Sequence, residues 1–237
     1  MNYVIFDGVS SADFGMYVGL NGNDNAPSRS VETIVVPGRN GTLTIDNGRF
    51  ENIEIEYICF IRRDFEKNII SARNFYTSRI GYKRLEDNAH PDEFRMARYV
   101  SGLEVTPSQM RKQGYFTLKF DAMPQRYLAI GENTISAVSD NPTMSLYNPT
   151  PFDSHPLIRV YGNGTLHVDD VTITIATESE YVDIDCETLD CYHDATNENG
   201  NVTFSDHKFP ALISGDNTVA FDGDITRVDV TPRWWRI

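Results

Sequence analysis

The chain has 237 residues, enough for two cores of about 100 to 140 residues each, and its 40% apolar and 11% aromatic content argues for folded cores despite a formal charge of −13. Residues 1–138 carry 16 Lys+Arg against 17 Asp+Glu and residues 139–237 carry 5 against 17, so nearly all the acidity sits in the second part, which excludes ionic gripping of phosphate backbones there. Cys59, Cys186 and Cys191 are an odd, scattered set that makes a poor disulfide framework and suits a reducing cytosol; no signal peptide and no apolar run near the ~20 residues of a membrane helix is recognisable.

Strand patterns dominate the first sixty residues: Tyr3 to Phe6, Glu32 to Val36, Leu43 to Ile45, and Ile53-Glu54-Ile55-Glu56-Tyr57, whose alternation puts apolar residues on one face. Pro37-Gly38-Arg39-Asn40-Gly41 supplies the positive-φ chemistry of a hairpin turn. A single helix is expected from about Asp64 to Arg79, with Asp64 capping it and Phe65, Ile69, Ala72, Tyr76 and Ile80 on its inner stripe. Gly19-Leu20-Asn21-Gly22 reads as a loop. Residues 86–114 are mixed and polar, with His90-Pro91 and Thr106-Pro107 as breakers, before Phe116 to Phe120 restores a strand. The first domain, residues 1–138, is therefore α+β.

Prolines punctuate Ser136 to Pro156 without a sustained periodic pattern, and we place the boundary near residue 138. Residues 139–237 then show short strands at Leu157 to Tyr161, Thr165 to Val168, Val171 to Ile175, Tyr181 to Cys186, Asn201 to Phe204, Thr218 to Phe221 and Ile225 to Thr231. Turns at Gly162-Asn163-Gly164, Asp169-Asp170, Asn199-Gly200, Gly215-Asp216-Asn217 and Gly223-Asp224 separate them. That spacing predicts an antiparallel sandwich. The whole is mainly β.

Candidate chemistry is sparse. Asp183, Asp185, Glu187, Asp190 and Asp194 offer oxygen ligands or paired carboxylates, but three of them alternate with Val182, Ile184 and Cys186, as on a strand with one buried and one solvated face. Cys186, Cys191 and His193 fall one ligand short of a structural zinc site and read as buried thiols beside a surface imidazole. No Gly-x-Ser-x-Gly, His-Glu-x-x-His or P-loop occurs, and His90, His155, His167, His193 and His207 lie scattered among polar turns. No catalytic, cofactor-binding or metal-binding residue is assigned, and no cofactor is expected. Arg39, Arg49, Arg62 and Arg63 give the first domain local positive charge suited to carboxylates across a subunit contact. Trp234 and Trp235, adjacent on a strand, point to opposite faces, so at most one is free to stack on a sugar.

Several segments together resemble one family. They are Phe6-Asp-Gly-Val-Ser-Ser-Ala-Asp-Phe14-Gly15, Val36-Pro37-Gly38-Arg39-Asn40-Gly41-Thr42-Leu43, Asn52-Ile53-Glu54-Ile55, Asp121-Ala-Met-Pro-Gln-Arg126-Tyr127, and the closing Phe209-Pro210 to Trp234-Trp235. In order and spacing they are similar to the distal tail proteins of siphophages and prophages. The resemblance implies a structural, non-enzymatic virion protein made in the bacterial host cytoplasm and placed at the tail tip. It implies a ring, usually a homo-hexamer, built by the N-terminal domains, with a galectin-like β-sandwich outside it. It also implies partners: the major tail tube protein, the tail-tip hub protein and, in some phages, a receptor-binding protein, with neither sequence-specific nucleic-acid binding nor membrane insertion. The galectin sugar site uses Asn-Pro-Arg and Trp-Glu, neither of which occurs in the chain; the alternative reading is a carbohydrate-binding module working through Trp234 or Trp235.

Overall fold

A computed structural model describes residues 2–19, 25–100, 103, 105–107 and 112–237. The chain divides into two compact units, the first running to Arg126 and including Ile237, the second spanning Tyr127–Arg236. The division lies upstream of the expected residue 138, because the strand Ile135–Val138 pairs along its whole length with Arg227–Thr231 and so belongs to the second unit.

In chain order the first unit contains β1 (Val4–Phe6), β2 (Val9–Ser10), a 3-10 turn (Ser11–Phe14), β3 (Met16–Gly19), β4 (Arg29–Val35), β5 (Thr42–Phe50), β6 (Ile53–Ile61), α1 (Phe65–Ser78), β7 (Lys83–Asp87), β8 (Glu93–Tyr99), β9 (Val105–Pro107) and β10 (Gly114–Ala122). The antiparallel sheet runs β2-β1-β7-β8-β10-β6-β3, with β9 also on β10. Its spine is β6 against β10, in register from Ile53↔Ala122 to Ile61↔Gly114. Alternation sends Ile53, Ile55, Tyr57, Cys59 and Ile61 to the buried face, where α1 lays Phe65, Ile69, Ala72 and Tyr76 over them. Tyr76 is the centre of an aromatic cluster, 5.9 Å from Phe6, 5.4 Å from Tyr99 and 6.1 Å from Phe120. Each such ring contributes about 1.5 to 3 kcal/mol by burial.

Two details of the helix differ from expectation. Asp64 stands at its head in a left-handed conformation (φ 51°), and its side chain caps nothing; only its carbonyl takes part, accepting from Asn68 N at 3.0 Å. The helix stops at Ser78 because Arg79 turns extended (φ −88°, ψ 115°), which leaves Ile80 outside the stripe and 89% exposed. Thr106-Pro107, read as a breaker, lies in β9; a proline is tolerated there because β9 pairs with a single strand. The Gly19 to Gly22 loop lies outside the described residues from position 20 on.

The second unit begins at Tyr127, within β11 (Arg126–Leu128), and continues with a 3-10 turn (Ala129–Glu132). There follow β12 (Ile135–Val138), β13 (Thr143–Asn148), β14 (Leu157–Tyr161), β15 (Gly164–Val168), β16 (Val171–Ile175), β17 (Tyr181–Asp185), β18 (Asp190–His193), β19 (Thr196–Asn197), a 3-10 turn (Asn199–Asn201), β20 (Val202–Phe204), β21 (Gly215–Gly223), β22 (Arg227–Thr231) and β23 (Trp235–Arg236). Two antiparallel sheets, β12-β22-β14-β17-β18-β19 and β13-β21-β15-β16-β20, enclose one core, the galectin-like sandwich. Ile158, Val160, Ile184, Val228 and Val230 from one sheet and Leu146, Leu166, Ile173 and Val219 from the other fill it. Gly215-Asp216-Asn217, expected as a turn, begins β21 and pairs with Asn148, Tyr147 and Leu146. Gly131 is buried where a Cβ would come 2.4 Å from the backbone nitrogen of Trp234, so the closing segment can reach its place only over a glycine.

Candidate assembly surfaces

The β4–β5 hairpin stands apart: its strands hydrogen-bond to each other and to no other strand among the described residues. Its tip follows from sequence, since Pro37 and Gly38 form the central pair of a turn closed by Arg39 N donating to Val36 O at 3.2 Å, with Gly38 at φ 80°. Its base is tied by Arg29 Nε donating to Asp46 Oδ2 at 2.6 Å and by Arg29 lying over Phe50 at 5.1 Å. Between tip and base, the register Glu32↔Ile45 and Ile34↔Leu43 places Ile34, Leu43 and Ile45 on one face, where they are 39%, 44% and 44% exposed. Val31 and Val35, on the opposite face, are exposed as well.

A second apolar surface lies on the sheet face away from α1. The register Tyr17↔Phe60↔Tyr115 sets three rings in a row across β3, β6 and β10, with centroids 6.3 and 4.5 Å apart. Tyr17 and Tyr115 are exposed, as is Ile58 beside them. Further along the same face the pattern turns polar, with Lys119 salt-bridged to Glu56 and Arg98 to Asp121 at 2.7 Å. The sequence carried a signal for this row that its reading missed: the outward positions of β6 run Glu54, Glu56, Ile58, Phe60, so the polar series gives way to apolar residues. Just beyond that end, Arg62 and Arg63 line an open groove with Lys67 and Lys112, and all four cations are exposed. Arg49 bonds locally to Glu51 at 3.1 Å, and Arg39 is exposed near the hairpin tip.

The acidic series of the second unit is not one solvated face. Asp183 and Asp185 are buried, because arginines far off in sequence cover them. Arg159 grips Asp183 through two bonds of 2.7 Å, and Arg233 grips Asp185 at 2.7 and 3.1 Å. Burial by itself would raise the Asp185 carboxyl, but Arg233 and the amides of Glu187 and Thr188 outweigh it and hold its pKa below the usual carboxylate range. Glu187 and Asp194 are exposed, Asp190 half-buried. The row Ser136, Asp229, Arg159, Asp183, Tyr192, Asn197 runs in register across all six strands, and Arg227 adds a 2.7 Å bond to Asp229. This face neutralises itself.

Cys186 and Cys191 are free and buried; burial raises both thiols, that of Cys191 to about 12. Among the described residues no group of three or more His, Cys, Asp or Glu is placed to hold a metal ion, and no helix is long and apolar enough to cross a membrane. His167 and His193 make contacts within their own sheet, Nδ1 lying 3.2 Å from Thr172 Oγ1 and 3.0 Å from Tyr181 O; His155 and His207 are exposed. His90 lies 3.4 Å from Asp87 at a cavity of about 30 Å³, room for a water molecule rather than a substrate. Trp234 is buried in the sandwich core, whereas Trp235 stacks on Phe152 at 4.5 Å and donates its indole N–H to Asp153 O at 2.9 Å. One face of the only partly exposed indole is therefore covered.

This fold, an α+β sheet unit followed by a galectin-like sandwich, matches those of solved phage tail-hub and baseplate proteins. The chain is similar over 100% of its length, and 100% of the other, to SPP1 Dit (gp 19.1), described as a paradigm of the hub adsorption apparatus in phages infecting Gram-positive bacteria, at TM-score 0.74 and 13% identity. It is also similar to chains of the phage P2 baseplate in its activated conformation. With calcium the match covers 97% of each chain, and with strontium 100% of this chain and 98% of that one, both at TM-score 0.53 and 10% identity. No protein-family model matches the sequence, and no curated protein matches it.

Proposed function

We propose that this protein is a non-enzymatic hub of a phage or prophage tail tip, a homo-hexameric ring that joins the tail tube to the tail-tip hub protein and the host-adsorption apparatus. The observation that carries this reading is the likeness over the full length of both chains to SPP1 Dit. The first unit supplies the ring. Its hairpin and aromatic row are apolar surfaces of the kind that association covers. The second unit stays outside: residues 139–237 carry a net charge of −12, and the carboxylates of Asp169, Asp170, Glu178, Glu180, Asp216, Asp222 and Asp224 are all exposed, so like units repel one another. We assign no catalytic, cofactor or metal residue.

Negative-stain imaging and light scattering of the purified chain test this. Six-subunit rings with a central opening are expected. A chain that stays monomeric over a wide concentration range overturns spontaneous ring formation.

A further inference from the structure

We infer that the apolar face of the β4–β5 hairpin docks on the aromatic row of a second copy of this chain, Ile34, Leu43 and Ile45 covering Tyr17, Phe60 and Tyr115. The inference rests on the ring reading and names the two surfaces that make its contact.

Both surfaces are uncovered by the described residues of one chain. An isolated two-stranded hairpin is marginal in water, and this one keeps three large aliphatic side chains about two-fifths exposed with no further strand beside it. The aromatic row is flat, rigid and 47% to 59% exposed at Tyr17, Ile58 and Tyr115. At nine residues and about 3.4 Å per residue, β5 reaches roughly 30 Å, long enough to lie across a neighbouring sheet.

Charge selects the occupant. Glu32 sits on the apolar hairpin face opposite Ile45 and has no ionic partner among the described residues. Arg62 directly follows β6, two positions past Phe60, and Lys112 precedes β10 two residues before Gly114; neither has an ionic partner among the described residues, and the groove they line with Arg63 and Lys67 also holds Asp64 and Glu66, which leaves it net positive. The hairpin thus presents an aliphatic patch with one carboxylate at its edge, and the row an aromatic patch with free cations at its end. A second copy brings the complement of each. Because donor and acceptor surfaces differ, the contact is heterologous and repeats from copy to copy until a ring closes, whereas a two-fold contact would stop at a dimer.

Mixing two variants tests the docking, Ile34→Asp on the hairpin and Tyr115→Asp on the row. Both positions are exposed, and Leu43→Asp with Tyr17→Asp forms a second pair; circular dichroism verifies folding. Each variant alone is expected to lose rings, while an equal mixture forms a one-to-one dimer and nothing larger, since only one intact hairpin and one intact row then remain to meet. Folded variants that still form rings, or a mixture that stays monomeric or regains full rings, overturn the docking and leave the ring reading standing. A wild-type chain that never associates overturns the ring and the docking together.

Discussion

Tyr76 shows how finely a residue can be placed and still carry a cost. Its ring is fully buried in the aromatic cluster, yet its hydroxyl has no hydrogen-bond partner among the described residues, and burial raises its pKa. A buried unpaired hydroxyl costs about 1 to 3 kcal/mol. Tyr76→Phe keeps every ring contact and is expected to leave stability unchanged or raise it by about 1 kcal/mol, read from the urea midpoint. Asp185 carries the opposite lesson. Its folded carboxyl titrates below the unfolded value of about 3.9, so the unfolded chain takes up protons first as pH falls. The stabilisation is complete above about pH 4 and drains away as pH drops through the folded pKa. Asp185→Asn is therefore expected to weaken the protein near neutrality while its stability curve converges on the wild type as pH falls below the folded pKa. A constant deficit across that range would show that the carboxylate charge is not the source. The alternation of Val182 to Cys186 was legible in sequence; the burial of Asp183 and Asp185 was not, because their arginines stand 24 and 48 residues away.

Among elements, those set by local chemistry were the easiest to read. Pro37-Gly38 announced the hairpin, and the apolar stripe announced the helix. Elements fixed by partners far along the chain were harder. Thr143–Asn148 alternates cleanly, with Met144, Leu146 and Asn148 buried, but Pro142 and Pro149 on either side disguised it as linker. What makes it a strand is β21, more than sixty residues later, whose polar start had suggested a turn. The same logic explains the aromatic row, which exists only where three strands bring Tyr17, Phe60 and Tyr115 side by side. Lacking a third strand, the β4–β5 hairpin should open locally far more often than β6 and β10 do. Hydrogen exchange on the free chain is expected to exhaust the amides of residues 31–45 well before those of 53–61; equal protection would mean the hairpin is already held.

At the scale of the whole molecule, composition and charge carried the plan: a near-neutral first part, a strongly acidic second part, and a change of architecture between them. The position of that change was less visible, since only the pairing of β12 with β22 assigns Ile135–Val138 to the sandwich. Charge also misleads on this scale. A total of −13 suggests a uniformly repulsive surface, whereas Asp183 and Asp229 of the six-stranded sheet are paired by its own Arg159 and Arg227, and Asp185 by Arg233 just after β22. The surplus lies at exposed positions, in turns at Asp169, Asp170 and Asp224 and on β21 at Asp216 and Asp222.

The closing segment carries one more implication. Leu128 N donates to Trp234 O at 2.8 Å and Arg233 N to Gly131 O at 2.8 Å, so the chain enters and leaves the sandwich side by side. A module whose two ends meet behaves as a cassette. A sandwich of another size, spliced in between those two strands, would keep the same pair of attachment points.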